Sequence, residues 1–301
     1  MSYSDQVSNF GYCTMGHGRS DYEGFYGIAL NRPFYGFHCH DFYEFYLHFG
    51  GASQYGLDDE VYSLEPNQLI IVPPFRMHGL IGEQKLTRYE RGFLYCSTDF
   101  LSHVGCGQID LVNLLAERTR GKGCLIYTLS ESTAMECRQY YTRIMENSDK
   151  NSPMDRFRDL SYILPLFRII LETMQGHTPE LPAVTANPMM HQVLVYINEH
   201  YTEPLTLESM SDRFGISVST LSHEFIRYIH HSVYNYILYK RVMLAKQKLF
   251  EPLTLSEISY LCGFGDYSNF LRSFKKITGV SPSEYRSQIR LHQKKAKEMN
   301  V

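Results

Sequence analysis

The chain has no tryptophan, no cysteine pair in CxxC spacing and no apolar run long enough to cross a bilayer. Its seven cysteines are scattered over 301 residues, which argues against a disulfide framework. The most apolar segment, Leu160–Met174, contains Pro165 and Arg168 and is shorter than the roughly 20 residues of a membrane span. No signal-peptide pattern opens the sequence. These absences predict a cytoplasmic protein without a membrane partner.

Motifs of the common enzyme classes are also missing. The sequence shows no paired acid and base, no nucleophile placed with its base, and no glycine-rich loop that could cradle a phosphate. We therefore expect a protein that is not an enzyme and needs no cofactor.

Charge is unevenly distributed, although the whole chain carries a net charge of only −3. Residues 1–186 hold 15 Lys and Arg against 22 Asp and Glu, a net charge of −7. Residues 187–301 hold 14 against 10, a net charge of +4. The excess is modest, but it places the positive charge where attraction to nucleic-acid phosphates would need it.

The basic part contains an internal duplication. The segment Leu205–Ser211 matches Leu253–Ser259 at an offset of 48, and Gly215 falls on Gly263. The offset then becomes 49, because one residue is inserted in the turn of the second copy. At this offset Phe225 meets Phe274 and Tyr236 meets Tyr285. A repeat at fixed spacing indicates two copies of one supersecondary unit.

Each copy has the signals of two helices joined by a short turn. Thr206 and Thr254 stand at helix starts, and Thr254 with Glu257 forms a capping-box pattern. Gly215 and Gly263 end these helices, and second helices follow at Ser217–Tyr228 and Asp266–Lys276. Such a unit is a helix-turn-helix, whose second helix can enter the DNA major groove. A plain helical hairpin is the alternative for one copy, and two copies in register argue against it.

Between the copies, Val233–Phe250 is predicted to be one long helix. Leu238, Val242, Ala245 and Leu249 form its apolar side, and Lys240, Arg241, Lys246 and Lys248 are expected to be mostly turned away from that side. A rigid helix would hold two recognition helices at the separation of successive major grooves.

The second copy closely resembles the signature of AraC/XylS-type transcriptional regulators. The resemblance lies in Gly263–Lys276, followed by Gly279, Ser281-Pro282 and Tyr285-Arg286, and it covers about a hundred residues. It implies double-stranded DNA as a partner and admits RNA polymerase as a further one. The first copy departs from the family pattern, since His230 stands where the second copy has Gly279.

The resemblance also implies which residues contact DNA. Base-facing positions would be Ser219, Ser222 and His223 in the first copy, and Tyr267, Ser268, Asn269 and Arg272 in the second. Arg can form two hydrogen bonds with guanine and Asn with adenine. The second copy is therefore expected to recognise base edges more strongly than the first. Lys275 and Lys276 would contact phosphates, whereas Glu224 would repel them.

Residues 1–100 have the pattern of many short strands. Strands are predicted over Phe42–Phe49, Tyr55–Leu57, Glu60–Leu64, Leu69–Val72 and Arg88–Cys96. Gly50-Gly51 ends the first strand, Asp58-Asp59 forms a tight hairpin turn, and Pro73-Pro74 stops the fourth. This spacing predicts a sandwich or a small barrel.

Polar residues in this half resemble the two sequence motifs of a cupin barrel. They are His38 and His40 with Glu44, followed by Pro73-Pro74 and His78. Three imidazoles and a carboxylate could hold a metal ion, line a metal-free effector pocket, or only make structural bonds. In regulators of this family the pattern is common and metal is usually absent, so the expectation is an effector pocket without metal.

Tyrosine is abundant, with 24 residues, and several fall where a barrel lining would lie. Tyr43 or Tyr46, of which only one can face inward, and Tyr89 or Tyr95 offer an apolar face with a hydroxyl. A sugar would suit such a lining, and so would an aromatic acid with Arg91 as its counter-ion. The predicted ligand-binding residues are His38, His40, Glu44, Tyr46, His78, Tyr89 and Arg91.

Two further helices, Glu131–Asn147 and Pro153–Gln175, are predicted before a proline-rich linker. Ile163, Leu166, Phe167, Ile170, Leu171 and Met174 form an apolar band too wide for one solvated helix. By resemblance, this helical pair is where related regulators form homodimers. Packing within the chain is the alternative.

The sequence thus predicts a multidomain α+β protein. Residues 1–175 would form a cupin-like β-barrel with a helical dimerisation pair, 176–187 a linker, and 188–301 an all-α domain with two helix-turn-helix units joined by a long helix. The predicted function is sequence-specific transcriptional regulation controlled by a small-molecule effector. The alternatives are a cupin-type metalloenzyme with a C-terminal interaction domain, and a helical interaction module that does not bind DNA.

Overall fold

The computed structural model describes residues 15, 21–30, 37–81, 86, 88–120, 124–150, 152–176 and 187–299, with side chains up to 290. These residues form two compact units, one on either side of the 176–187 interval. The predicted linker therefore lies outside the described residues except for its two ends. Within the described residues, no helix combines the length and apolar character needed to cross a membrane.

The first unit contains eight described strands in two antiparallel sheets. The strands are β1 (Tyr22–Leu30), β2 (Tyr43–Gly50), β3 (Gln54–Leu57), β4 (Glu60–Ser63), β5 (Gln68–Val72), β6 (His78–Leu80), β7 (Arg88–Cys96) and β8 (Leu125–Thr128). One sheet has the order β1-β7-β2-β5-β8 and the other has the order β4-β3-β6. Five of these strands fall where the alternation predicted them, and the β3–β4 turn at Asp58-Asp59 is confirmed, with Asp58 at φ 50°.

The two sheets face each other across a buried cluster that draws side chains from both. Tyr46 and Ile70 come from the five-stranded sheet, and Tyr55, Leu57 and Leu80 come from the three-stranded sheet. We call this space the barrel interior. It confirms the expected β-rich domain built of antiparallel sheets.

The other face of the five-stranded sheet is covered by helices. They are α1 (Thr98–Val104), α2 (Leu111–Thr119), α3 (Glu131–Glu146) and α4 (Pro153–Gly176). Phe45 of β2 packs edge-on against Phe167 of α4, with ring centroids 5.2 Å apart. Its carbonyl oxygen accepts a hydrogen bond from the Tyr141 hydroxyl at 3.0 Å. Helices α1 and α2 and strands β1, β6 and β8 were not predicted.

The apolar band of α4 packs largely within this chain. The helix continues through Pro165, and its buried apolar residues are Ile163, Leu166, Phe167, Ile169, Ile170 and Met174. All six belong to the cluster formed with the sheet, and Leu171 packs at its edge. The intrachain role of the band therefore accounts for most of its apolar surface.

The second unit is all α. Its helices are α5 (Pro188–His200), α6 (Leu207–Phe214), α7 (Val218–Ile229), α8 (Val233–Lys248), α9 (Leu255–Leu261), α10 (Tyr267–Thr278) and α11 (Pro282–Met299). Both copies of the repeat have the predicted caps, with capping boxes at Thr206 and Thr254. The turn glycines Gly215 and Gly263 have φ of 65° and 79°. The all-α C-terminal domain and its repeated helix pairs are thus confirmed.

The prediction for the long helix α8 was wrong about one lysine. Lys246 does not turn away from the apolar side: it is 1% exposed, and its Nζ lies 4.6 Å from the centroid of the Tyr285 ring. Arg241 is also drawn inward, since it donates hydrogen bonds to the carbonyl oxygens of Tyr201 and Glu203. Helix α8 is buried over a wider band than its aliphatic stripe indicated, because helices pack on more than one side of it.

Candidate functional site

Four of the predicted site residues converge in the barrel interior. His38 and His40 precede β2, Glu44 lies on β2, and His78 opens β6. Between 0% and 8% of each residue is exposed, and one ligand atom from each lies within 4.8 Å of the others. A two-residue spacing along an extended segment places His38 and His40 on the same side. The structure therefore brings together the residues that the sequence motif linked.

Backbone pairing fixes the positions of His38 and His78. The two residues exchange hydrogen bonds, with N–O distances of 2.8 Å and 2.9 Å. Residues paired in this way in an antiparallel ladder project their side chains to the same face. Their ring centroids are 4.3 Å apart.

Glu44 is the centre of the cluster. Its Oε2 lies 3.1 Å from Nε2 of His40 and 2.9 Å from Nε2 of His78. The other ring nitrogens face the main chain, with Nδ1 of His40 2.9 Å from the carbonyl oxygen of Phe42 and Nδ1 of His78 2.9 Å from that of Arg76. The Phe42 ring stacks on His40 at 4.1 Å. The contacts at both ring nitrogens therefore restrain the orientation of each imidazole.

Burial and hydrogen bonding shift the pKa values of these groups in opposite directions. Burial alone would raise the pKa of Glu44, but the hydrogen bonds from His40 and His78 outweigh it and hold this pKa well below its usual range. The pKa of His40 is lowered, mainly because burial penalises the imidazolium. The carboxyl group is thus an anion and a strong acceptor inside the barrel.

A second polar group lies on the same inner face. The hydroxyls of Tyr46 and Tyr89 are 2.7 Å apart, and burial is the largest cause of the raised pKa of each. The Arg91 guanidinium lies over the Tyr89 ring at 4.7 Å and over the Phe25 ring at 5.2 Å. The predicted residues Tyr46, Tyr89 and Arg91 are therefore neighbours and are all buried.

The structure decides which tyrosines face inward. Tyr46 faces the barrel interior, whereas Tyr43 packs in the cluster under the helices. Tyr89 lies in the interior cluster, and Tyr95 packs against Phe42 and Phe93 with its ring 5.5 Å from His40. Both β7 tyrosines are thus on the inner face, as their spacing of six residues requires.

Sequence reasoning missed two inner residues, Tyr55 and His48. The Tyr55 hydroxyl is buried and makes no hydrogen bond, and its ring stacks on Tyr46 at 5.6 Å. His48 is fully buried, with Nδ1 3.4 Å from the Tyr46 hydroxyl, and burial lowers its pKa to about 4. Alternation along β2 places His48 on the side of Glu44 and Tyr46, so a two-residue count would have identified it.

The predicted DNA-contacting residues lie on α7 and α10, the second helices of the two units. Ser219 and His223 are exposed and Ser222 is half-buried. On α10 the exposed members are Tyr267, Ser268, Arg272, Lys275 and Lys276, whereas Asn269 is half-buried.

The two recognition helices differ in the side-chain hydrogen bonds and ion pairs on their surfaces. On α10, Asn269 Oδ1 accepts a hydrogen bond from the Ser273 hydroxyl at 3.1 Å. On α7, Glu224 lies 3.5 Å from His223 and 3.6 Å from Arg227. The α7 carboxylate therefore neutralises part of the positive charge beside it.

Comparisons with known proteins identify both units. A model of the AraC-like ligand-binding domain matches residues 22–104, and a model of a helix-turn-helix domain matches residues 210–288. The chain is 32% identical over 148 residues to the uncharacterised HTH-type transcriptional regulator YdiP of Escherichia coli strain K12, covering 48% of the chain and 47% of YdiP. It is 23% identical over 256 residues to the HTH-type transcriptional activator RhaS of Enterobacter sp. strain 638, covering 83% and 86%.

The chain spans about half the length of the relatives that it matches at 32% and 34% identity. Among solved structures, ToxT from Vibrio cholerae, determined with a bound unsaturated fatty acid, aligns with 89% of this chain and 95% of its own. The sequence identity in that alignment is 13% and the TM-score is 0.37.

Proposed function

Because the chain belongs to the AraC-type family of helix-turn-helix regulators, we propose that it binds specific DNA sequences and responds to a small molecule held in the barrel interior. The observation that carries this proposal is the pairing of two features in one chain. One is a duplicated helix-turn-helix with polar and basic side chains exposed on α7 and α10. The other is a barrel interior that holds buried polar groups.

DNA binding is proposed for the second unit. Exposed Arg272 can pair with a guanine edge, and Lys275 and Lys276 can contact phosphates. We place the stronger base reading on α10, because α7 offers serines and a histidine beside Glu224. The predicted boundaries, with the DNA-binding domain at 188–301, are kept as part of this proposal.

The effector site is proposed for the barrel interior. His38, His40, Glu44, Tyr46, His78, Tyr89 and Arg91 would line it, together with Tyr55 and His48. The buried Tyr55 hydroxyl supports this proposal, since a buried polar atom without a partner costs about 1–3 kcal/mol unless a ligand satisfies it. A polar ligand with an apolar face, such as a sugar or an aromatic acid, suits tyrosines of this kind.

A homodimer is proposed through the surface of α3 and α4. Three large apolar side chains of α4 stay exposed: Met154 at 67%, Phe157 at 72% and Leu164 at 45%. Met135 of α3 is 52% exposed. Sedimentation of wild type and Phe157→Glu tests this: a dimer that the substitution dissociates is expected, and a wild-type monomer at micromolar concentration, with and without effector, contradicts it.

The central experiment is selection of bound fragments from genomic DNA with the full chain, repeated with sugars and aromatic acids. We expect enrichment of one sequence, lost as salt rises, and a change in enrichment with at least one small molecule. No enriched sequence under any condition would refute DNA recognition. Enrichment that every candidate molecule leaves unchanged would refute control by these two classes of effector. The metalloenzyme alternative has no support among the relatives, which are transcriptional regulators.

A further inference from the structure

A pocket lies outside the barrel interior, on the side of the five-stranded sheet that the helices cover. The α1–α2 segment lines it on one side and α4 lines it on the other. Its volume is about 400 Å³, within the roughly 300–1,000 Å³ of small-molecule sites. The apolar residues that line it are Val104, Ile109, Leu111, Leu164, Phe167 and Leu171. We call this space the helix pocket.

The helix pocket has a buried floor and an exposed rim. Leu111 and Phe167 are buried and belong to the cluster between the sheet and the helices. Ile109 and Leu164 are large apolar side chains that stay exposed beside them. Covering exposed apolar surface is favourable. The body of a molecule that fits this pocket should therefore be apolar.

The charged side chains at the rim favour a cation over an anion. Arg168 and Glu172 both line the pocket and form an ion pair, with 2.7 Å between Nη1 and Oε2. Nη2 of Arg168 also lies 3.4 Å from Oε1 of Glu136. Two carboxylates thus meet one guanidinium, which leaves a net charge of −1. An anionic ligand would have to displace a carboxylate from Arg168, whereas a cationic ligand would add a second positive partner.

Helix ends add to the negative potential. Gly105, the C-cap of α1, and Gln175, in the last turn of α4, both line the pocket. The C-terminal end of a helix carries roughly half a negative elementary charge. The last turn of α4 has no basic side chain, and that of α1 has His103. The N-terminal end of α2 also reaches the pocket at Leu111, but the carboxylate of its N-cap residue, Asp110, offsets the positive end.

Phe167 connects the helix pocket to the barrel. Its ring packs edge-on against Phe45 of β2 at 5.2 Å. Phe45 lies between Glu44 and Tyr46, which face the barrel interior. A molecule resting on Phe167 would therefore contact a ring that supports the strand of the proposed effector site.

We propose that the helix pocket binds an apolar molecule that carries one positive charge, such as an aromatic amine or an aromatic quaternary ammonium compound. The apolar body would cover Ile109 and Leu164, and the cationic group would lie beside Glu172 and the C-terminal end of α4. This site is separate from the proposed effector site. Its occupancy requires neither a molecule in the barrel nor bound DNA.

The first test compares three fluorescent probes that share one apolar body: pyrenebutylamine, pyrenebutanol and pyrenebutyrate. In titrations of the full chain, the amine should bind at least about fivefold more tightly than the alcohol, and the butyrate should bind most weakly. Failure of the amine to bind would overturn the proposal. So would a butyrate that binds as tightly as the amine.

Cys106 reports whether the probe occupies the helix pocket. It is an exposed lining residue, whereas the other five cysteines that the structure describes are buried. Pyrenebutylamine at about ten times its Kd should slow the alkylation of Cys106 by iodoacetamide about tenfold, followed by mass spectrometry of the peptide. An unchanged alkylation rate at this concentration would place the probe elsewhere and overturn the proposal.

Glu172→Gln tests the charge at the rim. It should weaken binding of the amine about fivefold and leave binding of the alcohol unchanged. Glu146→Gln is the matched control, because Glu146 is an exposed carboxylate that pairs with Arg143 and does not line the pocket. It should bind all three probes like wild type. Wild-type affinity for the amine in Glu172→Gln would contradict the proposal.

Phe157→Glu separates the helix pocket from the surface proposed for the homodimer, to which Leu164 also belongs. Amine binding should be unchanged in this variant. Binding that disappears together with the dimer would assign the pocket to an interface between two copies and overturn a site within one chain. None of these measurements involves DNA or a barrel ligand, so failure of this site and failure of the proposed function are distinguishable.

Discussion

Arg138 of α3 and Glu90 of β7 form an ion pair, with 2.7 Å between Nη2 and Oε1, on the side of β7 opposite the barrel interior. Glu90 is 7% exposed and also accepts a hydrogen bond from the Tyr26 hydroxyl at 2.7 Å. Its neighbours in sequence, Tyr89 and Arg91, face inward. One strand therefore connects the proposed effector site to the helices proposed to dimerise.

Replacing Arg138 by Met should lower the free energy of unfolding by about 1 kcal/mol, because the largely buried Glu90 carboxylate would lose one of its two arginine partners and keep Arg88 and the Tyr26 hydroxyl. Met keeps the apolar stem that packs on Phe49, over which the guanidinium lies at 4.7 Å. Urea denaturation measures the effect. Arg143→Met, which breaks the exposed pair with Glu146, is the control and should cost less than about 0.5 kcal/mol. Equal losses in the two variants would show that the Arg138–Glu90 pair contributes no more to the free energy of unfolding than an exposed ion pair does.

Tyr55→Phe should weaken effector binding by about tenfold while leaving the apo protein as stable as wild type or slightly more stable. The hydroxyl has no protein partner, so only a ligand can gain from it. Tyr127→Phe is the matched control, because its hydroxyl is also buried without a partner but belongs to the helix-facing cluster. Calorimetric titration with the effector found by selection provides the measurement. Unchanged affinity in Tyr55→Phe would remove this residue from the site.

Acid should destabilise the first unit through His48. Burial lowers the pKa of His48 to about 4. Between pH 6.5, its usual pKa, and pH 4, the unfolded chain therefore binds a proton at His48 and the folded chain does not. The free energy of unfolding should therefore fall as pH drops from about 6.5 towards 4. The loss over this window should be on the order of 2–3 kcal/mol.

His48→Gln should reduce the dependence of the free energy of unfolding on pH, measured by urea denaturation at several pH values. Part of the slope should remain, because burial also lowers the pKa of His40. His103→Gln, at the exposed end of α1, is the control and should keep the wild-type slope. A slope that survives fully in His48→Gln would assign the acid sensitivity elsewhere.

The turn glycines of the two repeats should tolerate alanine unequally. Gly215 and Gly263 both have positive φ, which costs an alanine about 1–2 kcal/mol. At Gly215 a Cβ would meet no other atom within 4 Å, whereas at Gly263 it would lie against the Thr202 carbonyl group. Gly215→Ala should therefore cost about 1 kcal/mol and Gly263→Ala more than about 3 kcal/mol by thermal or urea denaturation. Similar costs would show that the backbone near Thr202 adjusts.

Substitutions on the two recognition helices should separate base reading from phosphate contact. Arg272→Ala should cost about 1–3 kcal/mol in binding and relax the preference at one base pair. Lys275→Ala should weaken binding to all sequences and reduce the salt slope by about 1. His223→Ala should change the preferred sequence little. The ordering of the two copies is reversed if His223→Ala abolishes the preference and Arg272→Ala leaves it intact.

The repeated helices were predictable because their signals are local. Thr254 with Glu257 forms a capping box within four residues, and Gly215 marks a helix end at a single position. The strand β7 was predicted with its observed bounds, Arg88–Cys96. Helices α1 and α2 and strands β1, β6 and β8 went unpredicted. Of these, α1, β6 and β8 span seven residues or fewer, which leaves little periodicity to detect.

The apolar pattern of β2 does not by itself assign the inner face; only the position of Glu44 in the cupin-like motif does. Tyr43 and Tyr46 are both buried, one under the helices and the other in the barrel interior. When a sheet is covered on both faces, apolar residues occupy both sides of a strand and the pattern loses its meaning. Lys246 was misplaced for a related reason, since charge predicts exposure only where no aromatic ring such as Tyr285 covers the side chain.

The sequence alone determined the family, the two helix-turn-helix units and the set of His38, His40, Glu44 and His78, because caps, turns and short spacings depend on neighbours along the chain. Only the tertiary structure decided how the members of that set meet. The carbonyl groups of Phe42 and Arg76 are local partners, each two residues from the ring that it contacts, whereas Glu44 and His78 come into contact only when the two sheets pack together. That contact is a long-range property, because β2 and β6 belong to different sheets and no spacing along the chain specifies how the sheets pack.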